Sequence, residues 1–286
     1  MLNCFPPPLQ RELAGLDFDE IRDIRLYADR PCQVCGAEEA YTSAYVTDAA
    51  ELYETAQALC SRMLRLSPQT TGKGFITLRG GHRMGLCGQV NAEGGSLLLQ
   101  GIGSLCIRVA HAVPGCGHAL AAEVRRGGGV LAAGRPGSGK TTLLRDAVRI
   151  LSDGGLHVGL ADERGELAAC LEGVPQLDVG ARTHVVDGCA KGTALRWLLR
   201  AMCPDLLATD ELYGPDECRA VREAAACGVP VLATVHAGTA GELCRREGIK
   251  RLLREGTIAR VVFLHQGRIA LAASAGEVLE AACLRR

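Results

Sequence analysis

The chain has 286 residues, with 32 basic and 32 acidic side chains, so its formal net charge is zero. Apolar residues make up 48% and charged residues 22%, a globular balance that excludes wholesale disorder, and neutrality argues against a general electrostatic nucleic-acid binder. Only 3% is aromatic, so the core is aliphatic and a base-stacking surface has little material.

The first third reads as a small mixed α/β unit. Glu20 to Tyr27 alternates apolar and charged residues, the period of a half-buried strand. Asp48 to Leu66 has helical spacing, with Leu52, Ala56, Leu59, Met63 and Leu66 on one face and Asp48 as N-cap. Gly74 to Leu78 reads as a strand, Gly80-Gly81 as a turn and Met84 to Val90 as the returning strand of a hairpin. Leu105 to Val109 is a further short strand. Pro114 to Gly117 and Gly127 to Gly129 then bracket a short helix, Ala119 to Arg126, and punctuate the chain. The expected division is 1–118 and 119–286.

From Val130 the rhythm is strand, helix, strand, helix. Val130 to Ala133 is a buried strand, Lys140 to Leu151 a helix and Leu156 to Leu160 a strand. Thr193 to Met202, Asp205 to Thr209, Pro215 to Ala226 and Val229 to Val235 continue the alternation. Apolar strands alternating with helices imply a parallel sheet covered on both faces.

Gly134-Arg135-Pro136-Gly137-Ser138-Gly139-Lys140-Thr141 fits G-x-x-x-x-G-K-[ST] in full, between a buried strand and a helix. Glycines let successive N–H groups face phosphate oxygens, and the helix N-terminus adds positive charge. Lys140 is expected to reach the β- and γ-phosphates and Thr141 to ligate magnesium, with Thr142 completing the nucleotide-binding stretch. A second acidic site is needed for the metal. Asp210 ends an apolar strand and is the candidate magnesium residue, with Glu211 placed to position water; a helix N-cap pair ahead of Pro215 is the plain alternative. Asp162-Glu163-Arg164-Gly165-Glu166 ends the preceding strand and is expected beside the phosphate strand, either orienting water or contacting magnesium, or as a solvated turn. His236, in Thr234-Val235-His236, is a strand tip for which a phosphate-sensing and a structural role are both open.

The 14 cysteines are scattered singly, often in apolar runs such as Leu86-Cys87, Leu105-Cys106 and Ala226-Cys227. They are expected to be buried free thiols of a reducing cytoplasm. Cys32 and Cys35 form a Cys-x-x-Cys without a second pair at zinc spacing, so a metal role is not favoured. Met1 to Pro8 lacks the basic start and apolar core of a secretory signal, and the longest uncharged run, Gly94 to Ile107, is too short to span a bilayer.

Together these motifs resemble the secretion-superfamily ATPases of type II and type IV secretion and pilus systems. The resemblance rests on the Gly134–Thr141 turn, the acidic box at Asp162–Glu166, the helix Leu195–Met202 running into Pro204-Asp205 and the strand to Glu211, and Thr234-Val235-His236. A closer similarity is to the stage III sporulation AA family, a small branch of that superfamily. It is carried by Ile21–Arg25 with Arg30-Pro31, Gly74–Gly88, Leu105–Ala110, and Asp178–Thr183 with Val186–Cys189. Ala208-Thr209 stands where an aliphatic pair is expected, and Leu212-Tyr213-Gly214 replaces the usual Ile-Gly.

The fold expected is therefore an α/β P-loop NTPase (RecA-like) domain with a parallel-core sheet, preceded by a smaller α+β domain. The resemblance implies ATP and Mg2+ as cofactors and a ring, hexameric in the family's manner, at a membrane channel between mother cell and forespore. It makes the chain cytoplasmic, peripheral at the membrane through inner-membrane channel proteins, and the zero net charge leaves no nucleic acid expected as partner. It gives His236 a coupling role and leaves the arginine acting in trans to Arg182, Arg83, Arg79 or Arg108. Two rival activities stay open, a non-hydrolysing nucleotide-switched scaffold and a small-molecule kinase; a third, a nucleic-acid motor, is disfavoured by the zero net charge.

Overall fold

The computed structural model describes residues 1–36, 39–60, 75–93 and 96–284. The chain forms two compact units, Met1–His111 and Ala112–Arg286. The division falls ahead of the 118/119 boundary expected from sequence. The Pro-Gly stretch after Ala112 packs with the second unit, where the Gly117 N–H donates to Asp146 Oδ2 at 2.7 Å.

The first unit is an antiparallel sheet with helices on its apolar side. Its elements are α1 (Pro7–Leu13), β1 (Ile21–Tyr27), β2 (Arg30–Gly36), β3 (Ala40–Thr47), α2 (Ala49–Leu59), β4 (Ile76–Thr77), β5 (Arg83–Glu93) and β6 (Ser96–Arg108). The strand order is β3-β2-β1-β6-β5-β4. Asp48 caps α2 by accepting the Glu51 N–H, and the Glu51 side chain accepts the Asp48 N–H in return, a reciprocal cap that fixes where the helix begins. Leu52, Ala56 and Leu59 bury the helix face against Ile24, Leu26 and Ile107. Met63, Leu66 and Gly74, which the sequence reading included in this helix and the next strand, lie outside the described residues. The short strand expected at Leu105–Val109 is the end of the much longer β6, which pairs with both β5 and β1.

The second unit has α3 (His118–Arg125), β7 (Gly129–Gly134), α4 (Lys140–Asp153), β8 (Val158–Asp162), β9 (Thr183–Asp187), α5 (Lys191–Ala201), β10 (Leu206–Thr209), α6 (Pro215–Ala226), β11 (Val231–His236), α7 (Ala240–Cys244), α8 (Glu247–Arg254), β12 (Ile258–His265), β13 (Arg268–Ser274) and α9 (Ala275–Cys283). Its sheet runs β13-β12-β7-β11-β10-β8-β9, parallel except for the antiparallel edge strand β13. Every residue of β7 is buried, because successive side chains serve opposite faces. Val130 and Ala132 join α3 and α4, while Leu131 and Ala133 join α5 and α6.

Two expectations need correction. β8 does not lie beside β7: β11 and β10 stand between them, so the Asp162 box ends a strand three places from the phosphate turn. The cysteines are all free, but they are not uniformly buried: Cys32 and Cys218 are, while Cys87, Cys203, Cys227 and Cys283 are exposed. Burial pushes the Cys32 thiol up to about 12, which leaves it protonated and a poor metal ligand. Among the described residues, no helix is long and apolar enough to cross a membrane.

Candidate functional site

The C-terminal ends of β7, β11 and β10 lie side by side, and ligands of open α/β sheets bind at that edge. The turn after β7 is shaped by two glycines in the left-handed region, Gly137 at φ 75° and Gly139 at φ 85°. A side chain on Gly134 would collide with Ser138 Oγ at 2.4 Å. Arg135, Pro136 and Gly137 are exposed, Ser138 and Lys140 are buried, and Thr141 and Thr142 are half-buried in the first turn of α4. The Gly267 N–H, in the β12–β13 turn, donates to Ser138 O at 3.0 Å and braces the loop from the other side.

Lys140 Nζ donates to Gly134 O at 2.9 Å and to Arg135 O at 2.8 Å. Its ammonium thus lies folded over the turn. Burial pushes its pKa down, against the opposing charge of Glu211. Ser138 Oγ is buried without a hydrogen-bond partner. An unpaired buried hydroxyl and an ammonium beside the start of a helix form a donor set suited to a polyphosphate, with the Thr141 hydroxyl and the Asp210 carboxylate as oxygen donors suited to magnesium.

The neighbouring strand tips bring the acidic and imidazole groups to this edge. His236 is in register with Gly134 across the β11–β7 pair. His236 Nε2 lies 3.1 Å from Glu211 Oε2, and Arg164 Nη1 lies 3.6 Å from the same oxygen. Asp210 is buried, and burial pushes its carboxyl up in pKa, with Lys191 acting in the opposite sense. Thr209, which departs from an aliphatic strand, is fully buried at no cost in pairing because its hydroxyl donates to Ala161 O at 3.0 Å.

The structure therefore gathers Lys140, Thr141, Asp210, Glu211 and His236 along one edge. Asp162 is neither a solvated turn nor an open ligand. Its buried carboxylate accepts the N–H groups of Glu166 at 2.8 Å, Leu167 at 3.1 Å and Ala168 at 2.8 Å, so it anchors its own loop. Glu163 follows in that loop, half-buried, and its negative charge adds to burial in raising the Cys189 thiol. Arg182 is not gathered with its own chain's turn. It precedes β9 at the opposite end of the strands, where its N–H donates to Ser152 Oγ at 2.8 Å and its Nη1 to Gly155 O at 3.1 Å. Of the other arginines, Arg108 pairs with Asp23 at 3.7 Å and Arg83 stacks 4.4 Å from the Phe75 ring centre. Sequence reasoning missed Lys191 and Arg164 as parts of this edge. Arg164 lay within the acidic box, but Lys191 carried no local signal.

A glycine turn between a buried strand and a helix, a strand inserted beside it, and an acidic strand tip next over give the P-loop fold of the secretion ATPases. The solved structures agree. The Legionella pneumophila ATPase DotB superposes with a TM-score of 0.60 at 17% identity, covering 96% of this chain and 85% of DotB. The pilus retraction motor PilT, solved with bound ADP, gives 0.61 at 18% identity, covering 89% of this chain and 76% of PilT. Within that class, residues 9–276 match the family described as "Sporulation stage III, protein AA", and the chain belongs to it. Stage III sporulation protein AA of Bacillus subtilis (strain 168) is 32% identical over 257 residues, spanning 87% of this chain and 84% of that protein.

Proposed function

We propose that this chain is a magnesium-dependent ATPase of the secretion type, working as a ring of identical subunits in a sporulation channel complex. The observation that carries this reading is the gathering of Lys140, Asp210, Glu211 and His236 at one sheet edge, with Glu211 3.1 Å from His236. In this reading the amides of Gly134 to Thr142 hold the phosphates, and Lys140 leaves its two carbonyls to neutralise charge on the transferring group. Thr141 and Asp210 hold magnesium, which supplies further neutralisation when bound. Glu211 accepts the proton of the attacking water, with Glu163, in the loop after β8, as a second carboxylate. His236 ties the state of Glu211 to the turn beside Gly134 and passes it to the neighbouring strand.

The ring, hexameric by family likeness, rests on the same membership. Arg182 is assigned to a neighbouring subunit's site, because it projects from the end of the sheet away from its own. The membrane partners are channel proteins of the sporulation complex in the inner membrane, and the chain is a cytoplasmic, peripheral member with no nucleic acid to bind. Phosphate release by the wild type and by Lys140→Ala, with particle mass measured with and without ATP, tests the proposal. A wild type that releases no phosphate, or releases it as fast as the variant, overturns it.

A second reading has one observation in its favour. Glu211 Oε2 is shared by His236 and Arg164, so its carboxylate is engaged rather than free for water. A nucleotide-switched scaffold needs no water activation. In that case Glu211→Gln leaves nucleotide residence unchanged, whereas in the ATPase it traps ATP.

A further inference from the structure

Lys191 is the first residue of α5 and is 3% exposed. Lysine is almost never buried this completely without a partner. Its Nζ lies 2.8 Å from Asp210 Oδ1 and donates to Glu211 O at 2.6 Å. One ammonium thus grips the side chain of one acidic residue and the main chain of the next. Asp210 is itself 4% exposed, and Asp162 and Glu166 add negative charge around it. Among the described residues, Lys191 is the cation paired with Asp210. A position that needed only volume would take Leu or Met, because a buried ion pair is a poor way to gain stability.

We propose that Lys191 is a fixed counter-ion at the metal side of the nucleotide site, a positioning residue that sets how strongly nucleotide binding depends on a divalent cation. The inference rests on the nucleotide site of the proposed function. With Lys191 in place, Asp210 and Lys191 together are neutral. A nucleotide arriving without metal then meets no bare carboxylate, and Asp210 keeps its remaining oxygen for the metal side. Without the ammonium, Asp210 is an uncompensated anion beside a polyphosphate. It then repels the metal-free nucleotide and attracts the metal-bound one, and at short range in a shielded site such charge terms are large.

The test is a titration of the full chain with a fluorescent ADP analogue, once with Mg2+ and once with EDTA. The quantity read is the ratio of the two affinities for wild type, Lys191→Met and Lys191→Arg. Lys191→Met raises the ratio about tenfold or more, and tenfold corresponds to about 1.4 kcal/mol. Lys191→Arg, which keeps the charge, stays within about threefold of wild type. An unchanged ratio in a Lys191→Met chain with a wild-type melting curve overturns the inference and leaves the nucleotide site standing. A wild type that binds the analogue under neither condition overturns the site itself, and the inference with it. If Lys191→Met does not fold, Lys191→Met with Asp210→Asn removes the stranded charge and recovers the fold; a double variant that stays unfolded refutes the counter-ion role.

Discussion

His236 Nε2 stands 3.1 Å from Glu211 Oε2, although the two residues end different strands and are joined only through the sheet. β10 and β11 are hydrogen-bonded neighbours, and β11 in turn pairs with β7 at Gly134. The imidazole therefore meets the acidic tip, while the His236 backbone pairs with Gly134, where the turn after β7 begins. In the proposed ATPase, His236 couples the acidic tip to that turn.

This contact separates two variants. In the proposed ATPase, Glu211→Gln keeps the shape and removes the proton acceptor. Phosphate release is expected to fall about 10²–10⁴-fold, the range for loss of a general base, with ATP affinity unchanged within a few-fold. His236→Ala leaves the acceptor but frees it from its partner, and a smaller loss, about tenfold, is expected. Single-turnover phosphate release and nucleotide titration on the same samples read both. Equal losses in the two variants would mean that His236 does more than position Glu211.

The conformation of the phosphate turn gives a second prediction. Gly139 sits at φ 85°, and a Cβ there would lie 3.0 Å from Gly267 Cα. A left-handed backbone costs a non-glycine residue about 1–2 kcal/mol, before any clash with the β12–β13 turn is counted. Gly139→Ala is expected to lower stability by about that amount and to abolish ADP binding. Thermal melting with and without ADP and Mg2+ reads both effects. A variant still stabilised by ADP would show that the turn tolerates another shape.

Asp162 was read from sequence as a ligand or a solvated turn, and its actual work is mechanical. Its carboxylate holds three successive N–H groups of its own loop in a fully buried setting. Asp162→Ala strands those donors, and a loss of about 3 kcal/mol or more in urea unfolding is expected. Asp162→Asn keeps acceptor capacity and loses less. The loop it shapes carries Arg164 to within 3.6 Å of Glu211, so phosphate release should drop even where Asp162→Asn remains folded. Full activity in that variant would uncouple the loop from the site.

What was legible in the sequence was whatever is written locally. The phosphate turn announced itself because G-x-x-x-x-G-K-T places conformation, charge and helix start within eight positions. The α6 boundaries are legible because Pro215 starts it, and the start of α2 because Asp48 caps it. β2 and β3 were missed: Pro31 interrupts one, and neither has a clean apolar alternation, since β3 is exposed over most of its length. β6 was read only at its end, because Gly101 and Gly103 dilute its strand character. Lateral strand order was not legible at all. It depends on how each crossover lies on the sheet, and the guess that put β8 beside β7 had only sequence order to go on. Lys191 was missed for a related reason. A lysine reads as surface until its partners are known, and these are the Asp210 carboxylate and the Glu211 carbonyl, the latter 20 positions further on.

Asp146 supplies a prediction in pH. Its Oδ2 accepts the Gly117 N–H at 2.7 Å, and its Oδ1 accepts Arg149 Nη2 at 2.8 Å and Nε at 3.0 Å. Burial pushes this carboxyl up in pKa, but the Gly117 N–H and the Arg149 guanidinium overcome it and hold the group below its usual value. A carboxylate whose pKa is lower folded than unfolded stabilises the fold above its unfolded value, about 3.9, and loses that contribution as pH falls through the folded one. Asp146→Asn forfeits the contribution at every pH. It is expected to be less stable than wild type at pH 7 by about 2 kcal/mol, the scale of a lost charged hydrogen-bond pair. The gap should narrow as pH falls below about 4, where the unfolded chain begins to bind the proton, and close as the folded group protonates at lower pH. Urea midpoints for both chains at pH 7, 5 and 3.5 test this. A gap that stays constant to pH 3.5 would mean that Asp146 contributes through shape alone, and that its charge does not hold the Gly117 loop against α4.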